Sequence, residues 1–159
     1  MTLLGRKVNA IASALLEEDL DGRENALHQL RELMVKKTQM DMDVEDAVRA
    51  ALLDLGVPDK LTGHSKLITA VTMVVKEPEL LNALVKGLYT EVALAHDTTP
   101  SRVERGIRHA IEVSWERVDM RTMQTYFGNT VSPLKDKPTN GEFIARVATV
   151  VRKRMEGGA

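Results

Sequence analysis

The sequence predicts an all-α fold, in which a multi-helix domain follows a short helical N-terminal extension. Aromatic residues make up only 3% of the 159 residues, whereas 43% are hydrophobic. The core must therefore consist mainly of Leu, Val, Ile, Ala and Met, which suits packing between helices better than a β-sandwich. Apolar residues also recur three and four positions apart along most of the chain, which is the period of an amphipathic helix. No segment has a convincing strand pattern.

The expected organisation has three parts, and the charge is unevenly distributed among them. Residues 1–43 form the helical extension, residues 44–155 the main domain, and residues 156–159 a frayed tail. Residues 1–47 hold six Lys/Arg and ten Asp/Glu, a balance of −4, whereas residues 132–159 hold six and three, a balance of +3. The overall charge of −1 therefore conceals a basic region and an acidic one.

Three helices are predicted before the first glycine-proline break of the main domain. The first spans Leu3 to about Glu18, and Asp21 can begin the second. The polar stretch 36–39 predicts a joint after the second helix. Asp43 is then expected to cap a third helix, Val44 to Leu55.

The middle of the chain predicts two further helices. One runs from about Ser65 to Lys76, and the next opens near Pro78 and ends near Ala95. The second carries an apolar stripe at helical spacing: Leu80, Leu81, Leu84, Val85, Leu88 and Val92. A short polar connection, residues 96–99, follows.

The next helix has a strong start signal. Pro100 suits the first helical position, because its missing N–H would have no partner there. Thr99 is then the N-cap, although Ser101 and Glu104 also have capping-box spacing. The expected inward stripe is Val103, Ile107, Ala110, Ile111 and Ser114. The expected outward face is Arg102, Arg105, Arg108, His109 and Glu112.

Two helices joined by about four residues, the second with an arginine-rich face, form the pattern of a helix-turn-helix. The N-terminal end of a recognition helix enters the major groove, where Arg is the best bidentate donor to guanine. A charged outer face that is merely solvated is the alternative, and the spacing alone does not decide between them.

A basic loop and two helices are predicted for the C-terminal part. A short helix covers residues 121–127, and residues 139–142 begin a last helix over 143–154. Lys135 and Lys137 lie between them in a proline-punctuated loop beside a helix start, which suits the binding of phosphates. A merely solvated loop is again the alternative.

Residues 44–154 resemble the C-terminal effector domain of the sporulation initiation master regulator family (stage 0 sporulation protein A type), a response regulator of endospore-forming bacteria. The resemblance is carried by four segments: TTPSRVERGIRHAIEVSW, GVPDKLTGHSKLITAVTMVV, FGNTVSPLKDKPTNGEFIARVA and LLNALVKGLYTEVA. It implies an all-helical domain with an embedded helix-turn-helix that binds a short DNA box and regulates transcription.

Pattern and resemblance together give three sets of candidate site residues. The groove-reading set is Arg102, Glu104, Arg105, Arg108 and His109. The DNA-backbone set is Thr98, Thr99, Ser101, Lys135 and Lys137. The family's region that meets RNA polymerase sigma subunits corresponds to Met120, Met123, Tyr126 and Phe127, although such residues are more often plain core.

The sequence departs from the family pattern in two places. The family's full-length proteins carry a receiver domain, which needs more than twice the 43 residues present here. We therefore expect DNA binding without phosphorylation of a receiver. Gly106 lies inside the predicted recognition helix, where the family usually has alanine. Glycine there costs about 1 kcal/mol of helix stability relative to alanine. Its presence has two explanations: neutral sequence drift, or a close approach of another backbone segment.

Other function classes find little support. The chain has no cysteine, and His28, His64, His96 and His109 are scattered, so a metal site is not expected. Neither a dinucleotide nor a Walker phosphate loop occurs, and no apolar run is long enough for a signal peptide or membrane helix. We expect a cytoplasmic protein that is not an enzyme and has no cofactor, small-molecule substrate or membrane partner.

The second functional hypothesis is a protein-interaction module that keeps the effector fold. Such a protein would act by occupying partners or by blocking DNA boxes. The helices between Leu3 and Met34 also leave open a homodimer, against simple packing on the main domain.

Overall fold

The computed structural model describes residues 3–16, 19–128 and 137–157, and these ranges fold into helices and turns without a strand. The prediction of an all-α fold is confirmed. The helices are α1 (Leu3–Leu15), α2 (Leu20–Asp54), α3 (Thr62–Lys76), α4 (Thr90–Ala95), α5 (Pro100–Arg117), α6 (Met120–Phe127) and α7 (Asn140–Glu156). A 3₁₀ turn, Pro78–Asn82, and a π-helical turn, Leu84–Tyr89, lie between α3 and α4. The chain divides into two compact units, Met1–Asp43 and Val44–Ala159.

The predicted joint at residues 36–39 is wrong, because α2 continues through it without interruption. Lys and Gln are good helix formers, and the stretch contains neither Gly nor Pro. The Thr38 hydroxyl donates to the Met34 carbonyl at 2.9 Å, and the Gln39 amide donates to the Asp43 carboxylate at 2.9 Å. Asp43 is therefore a helix-interior residue and not the expected cap. The first helix is shorter than predicted and ends at Leu15.

The second unit has one apolar core, with α3 at its centre. Helix α3 packs against both α5 and α7, and the C-terminal part of α2 contributes Val48 and Leu52 to the same cluster. The side chain of Ser114, which is the buried polar one among the described residues, donates to the Leu55 carbonyl at 2.6 Å. That bond satisfies the backbone carbonyl of Leu55, just beyond the end of α2, and fixes α5 against the end of α2.

The predicted single helix from residue 78 to Ala95 is also wrong. Ala83, with φ −143° and ψ 78°, interrupts it between the 3₁₀ and π-helical turns. The N–H groups of Gly87 and Leu88 both donate to the Ala83 carbonyl. Since the helical repeat changes here, the predicted apolar stripe is not continuous: Leu88 is fully buried, whereas Val85 is 61% exposed.

Arginines of α7 bind groups on other elements. Arg152 donates to the Val74 carbonyl at 3.2 Å, near the C-terminal end of α3, and Arg146 donates to the Tyr126 carbonyl at 3.1 Å. The Tyr126 hydroxyl donates to Asp54 at 3.0 Å and accepts from Arg154 at 3.0 Å. These bonds fix α7 against α3, α6 and the end of α2.

The close approach of α3 to α5 depends on glycine at one position. A Cβ atom added to Gly63 would lie 2.0 Å from the Gly106 carbonyl oxygen, whereas one added to Gly106 would lie 3.5 Å from the Gly63 Cα. The first distance is a clash with backbone, and the second is an ordinary contact. The close approach weighed for Gly106 therefore exists, but Gly63 is the residue that requires it.

Alanine at these two positions is expected to have opposite effects on stability. Gly63→Ala should lower the free energy of unfolding by about 1–3 kcal/mol, because α3 and α5 must move apart to make room for the Cβ atom. This cost exceeds the gain from the higher helix propensity of alanine. Gly106→Ala should raise it by up to about 1 kcal/mol. Urea unfolding monitored by circular dichroism measures both, and equal effects of the two variants would contradict the asymmetry.

Candidate nucleic-acid interface

A tight turn, residues 96–99, connects α4 to α5. The Thr98 N–H donates to the Ala93 carbonyl at 3.0 Å, and the Asp97 N–H donates to the Leu94 carbonyl at 3.5 Å. This is the hydrogen-bond pattern of a Schellman motif, with Asp97 in the left-handed position at φ 49°. The His96 ring Nε2 lies 2.7 Å from the Thr69 hydroxyl, which holds the turn against α3.

Helix α5 begins as predicted. Thr99 is extended, and its hydroxyl accepts from the Arg102 N–H at 3.3 Å, while Pro100 occupies the first turn. Ser101 is already helical, so the alternative boundary there is wrong. The whole predicted inward stripe is buried: Val103, Ile107, Ala110, Ile111 and Ser114.

The opposite side of α5 carries the predicted cations. Arg102, Arg105, Arg108 and His109 are exposed, and Glu104 is half-buried. Arg108 forms an ion pair with Glu104 at 2.9 Å. Within the part of the chain that the structure describes, no ion pair involves the side chain of Arg102 or Arg105. Two guanidinium groups near the helix start are therefore free to bind an external acceptor.

Lys137 lies beside the same helix. Its ammonium group donates to the Glu112 carboxylate, and His109 Nδ1 lies 3.8 Å from the other oxygen of that carboxylate. The hydrogen bond from Lys137 holds the pKa of Glu112 below its usual range. The segment before α7 and the outer face of α5, predicted separately, thus come together through one carboxylate.

Asn140 joins these two segments a second time. Its amide donates to the Glu104 carbonyl at 3.1 Å and to the Tyr89 hydroxyl at 3.1 Å. A groove of about 390 Å³ lies here, lined by Leu84, Tyr89, Glu104, Arg108, Lys137, Pro138, Thr139, Asn140 and Gly141. Neither Asn140 nor Tyr89 is among the site residues predicted from sequence, because a hydrogen bond across 51 residues leaves no local pattern.

The sequence profile of the family described as "Sporulation initiation factor Spo0A C terminal" matches residues 48–151, about two thirds of the chain. The chain belongs to this family. Spo0A C-terminal domains are sporulation-related, DNA-binding effector domains of transcription regulation. The match begins inside α2 and ends inside α7, so it includes α5 and Lys137.

The four residues that correspond to the family's sigma-contact region differ in exposure. Met123, Tyr126 and Phe127 are at most 2% exposed, so their side chains belong to the core, the alternative weighed from the sequence. Trp115 packs edge-on against Phe127 at 5.3 Å between ring centroids, which helps to explain that burial. Met120 is 56% exposed and alone of the four presents an apolar surface.

Two further observations limit the site. Lys135, predicted to contact the DNA backbone, lies outside the described residues.

Within the described ranges, no helix is both long and apolar enough to cross a membrane. The same ranges contain no group of three or more His, Asp or Glu side chains that could hold a metal ion.

Asp97 gives a test of the turn. Glycine adopts its left-handed conformation without strain, so Asp97→Gly should raise the free energy of unfolding by about 0.5–1 kcal/mol, whereas the β-branched Asp97→Val should lower it by about 1–3 kcal/mol. Thermal unfolding of both variants measures this, with the exposed helical residue Glu116→Val as the matched control. A stabilised Asp97→Val variant would contradict the described turn.

Proposed function

We propose that this chain is a sequence-specific double-stranded-DNA-binding transcription regulator, and that the N-terminal half of α5 reads the major groove. The observation that carries the proposal is the pair of unengaged guanidinium groups, Arg102 and Arg105, at the start of a helix whose opposite face is fully buried. An α-helix fits the major groove, and its first turns reach the base edges in helix-turn-helix proteins. Turn 96–99 and the burial of α5 hold that helix in one orientation.

The outer residues of α5 have distinct roles in this proposal. Arg105 and Arg102 donate to guanine acceptors or to adjacent phosphates. Glu104 is placed to accept from a cytosine amine, but its ion pair with Arg108 must open first. Once this ion pair opens, Arg108 can donate to guanine while Glu104 accepts from cytosine. A cytosine-guanine step therefore suits these two residues. His109, on the flank, contacts the edge of the site.

A second set of groups binds the DNA backbone. Ser101, Thr98 and Thr99 lie at the start of α5, where backbone N–H groups and the helix dipole attract phosphate. Lys137 adds a charge from the segment before α7, and Lys135 is proposed for the same role. These contacts position the domain but carry no sequence information.

Met120 supports a finer proposal, a contact with an RNA polymerase sigma subunit. It is the exposed apolar residue at the start of α6, directly after the recognition helix. The alternative function is a module that acts by occupying protein partners, which would require this surface but not the arginines of α5, or by blocking DNA boxes, which would require those arginines.

Gel shifts on duplexes carrying the family's box, against scrambled duplexes, distinguish the regulator from a module that only occupies protein partners. Equal or absent binding to both duplexes would contradict the proposal of a sequence-specific regulator.

Arg105→Ala is expected to weaken binding to the box by about 1–3 kcal/mol and to relax the preference at one base position. Arg117→Ala is the matched control, because it removes an exposed arginine from the other end of α5. Titration of fluorescent duplexes with a substitution at each box position measures both effects. If Arg105→Ala binds and discriminates like the control, the groove-reading role is wrong.

Lys137→Ala is expected to weaken binding about equally on box and scrambled duplexes. Each lost phosphate contact should reduce the slope of log affinity against log salt by about 0.9. Glu112→Gln should strengthen binding, because it removes the negative charge that pairs with Lys137 and leaves every basic residue in place. Lys153→Ala, on the last turn of α7, is the control, and an unchanged salt slope in Lys137→Ala would remove the phosphate contact.

A further inference from the structure

The N-terminal unit, Met1–Asp43, buries very little of its apolar surface. Among its described residues, the buried hydrophobic side chains are Ile11 and Ala26. Units of about 40 residues rarely support their own fold without a metal, disulfides or association with another chain. The first unit has no cysteine, so disulfides are excluded.

An exposed apolar stripe follows one side of α2 through this unit. The stripe consists of Leu20, Leu27, Met34, Val35 and Met42, with exposed fractions of 73%, 42%, 61%, 68% and 55%. At 100° per residue these positions fall within an arc of about 100°, the width of a helix face that packs against another element.

Helix α1 faces a different side of α2. The groove between the two helices is lined by Lys7, Ala10 and Ile11 on α1 and by Gln29, Glu32, Leu33 and Lys36 on α2. Leu33 and the buried Ala26 lie more than 100° from the centre of the stripe around the helix. The stripe is therefore not the surface on which α1 packs.

Four of the five stripe positions are placed symmetrically about Arg31, whereas the counterpart of Met34 is His28. Leu20 and Met42 are each eleven residues from Arg31, and Leu27 and Val35 are each four residues from it. An antiparallel second copy, with its two-fold axis at Arg31, therefore sets Leu20 against Met42 and Leu27 against Val35. Such an isologous interface requires a self-complementary patch.

The charges on the same arc favour the antiparallel arrangement over the parallel one. Glu24 and Arg31 are the two charged positions there. Parallel pairing would place Glu24 opposite the Glu24 of the second copy and Arg31 opposite its Arg31, which makes two like-charge contacts. Antiparallel pairing places Glu24 opposite Thr38, so that Arg31 opposite Arg31 is the one like-charge contact that remains.

The stripe supplies part of the area of a small interface. Full burial of one Leu, Val or Met removes on the order of 60–120 Å² of apolar surface. The exposed fractions of the five side chains are equivalent to about three whole side chains, so flanking residues supply the rest of the roughly 600 Å² per partner found at the low end of specific interfaces.

We propose that α2 pairs with a second copy of this chain, antiparallel through the stripe, and joins two effector units in one dimer. Helix α1 of each copy then lies on the outer side of the α2 pair, since it contacts the side of α2 away from the stripe. The inference does not depend on DNA binding, so either can fail alone.

The register is tested by cysteine cross-linking of the full chain, which contains no cysteine of its own. Arg31→Cys is expected to form a disulfide with itself under mild oxidation. Leu27→Cys should link to Val35→Cys in a mixture but not to itself, because two Leu27 positions are separated by about 12 Å along the axis. Asn25→Cys, outside the stripe, is the negative control. Efficient self-linking of Leu27→Cys, or links no stronger than the control, would overturn the arrangement.

Sedimentation equilibrium of the full chain tests the association itself. Val35→Glu should raise the dimer dissociation constant at least about tenfold, since it places an unpaired charge in the interface, and Asn25→Glu should leave it unchanged. Arg31→Leu should tighten the dimer, because it removes the one like-charge contact. Circular dichroism checks that each variant keeps its helix content. A monomeric wild-type chain, or a dimer that Val35→Glu leaves intact, would overturn the proposal.

Discussion

The near contact between α3 and α5 at Gly63 is the constraint on which much of the effector unit depends. The Gly106 carbonyl would lie 2.0 Å from a Cβ atom at Gly63. Because α3 also packs on α7, its position sets where both helices lie. The Ser114 bond to Leu55 fixes α5 at a second point, far along the helix from Gly106. Together these contacts determine which side of α5 is buried and leave its outer side free.

The sequence was sufficient wherever a local signal decides the structure. The cap at Thr99, the proline after it and the five-residue inward stripe of α5 are all found as predicted, because capping and burial act within a few turns. The prediction failed where polar residues had two roles. Thr38, Gln39 and Asp43 look like a joint and a cap, but in α2 they bond four residues away along the helix. The break at Ala83 was missed because the apolar spacing there is compatible with an ordinary α-helix.

Candidate residues of the outer face of α5 were also found from sequence, but their mutual contacts were not. Nothing in the spacing indicates that Lys137 meets Glu112, or that Asn140 binds both Tyr89 and the backbone of α5. Such contacts depend on how α7 packs against α5. The burial of Met123, Tyr126 and Phe127 is likewise a property of packing, since an eight-residue amphipathic helix presents the same pattern whether its apolar side meets a core or a partner.

The carboxylates among the cations of α5 have a consequence for how such a surface searches a genome. Glu104 and Glu112 form ion pairs with Arg108 and Lys137, so on the DNA-binding role proposed for this face it would attract arbitrary DNA less strongly than its number of basic residues suggests. Both pairs are partly exposed, so opening them costs little, and that cost is recovered only where a phosphate or base accepts from the released cation. A surface with internal counter-charges thus gives up some affinity everywhere and retains most of it at a matching site, which widens the ratio between specific and non-specific occupancy.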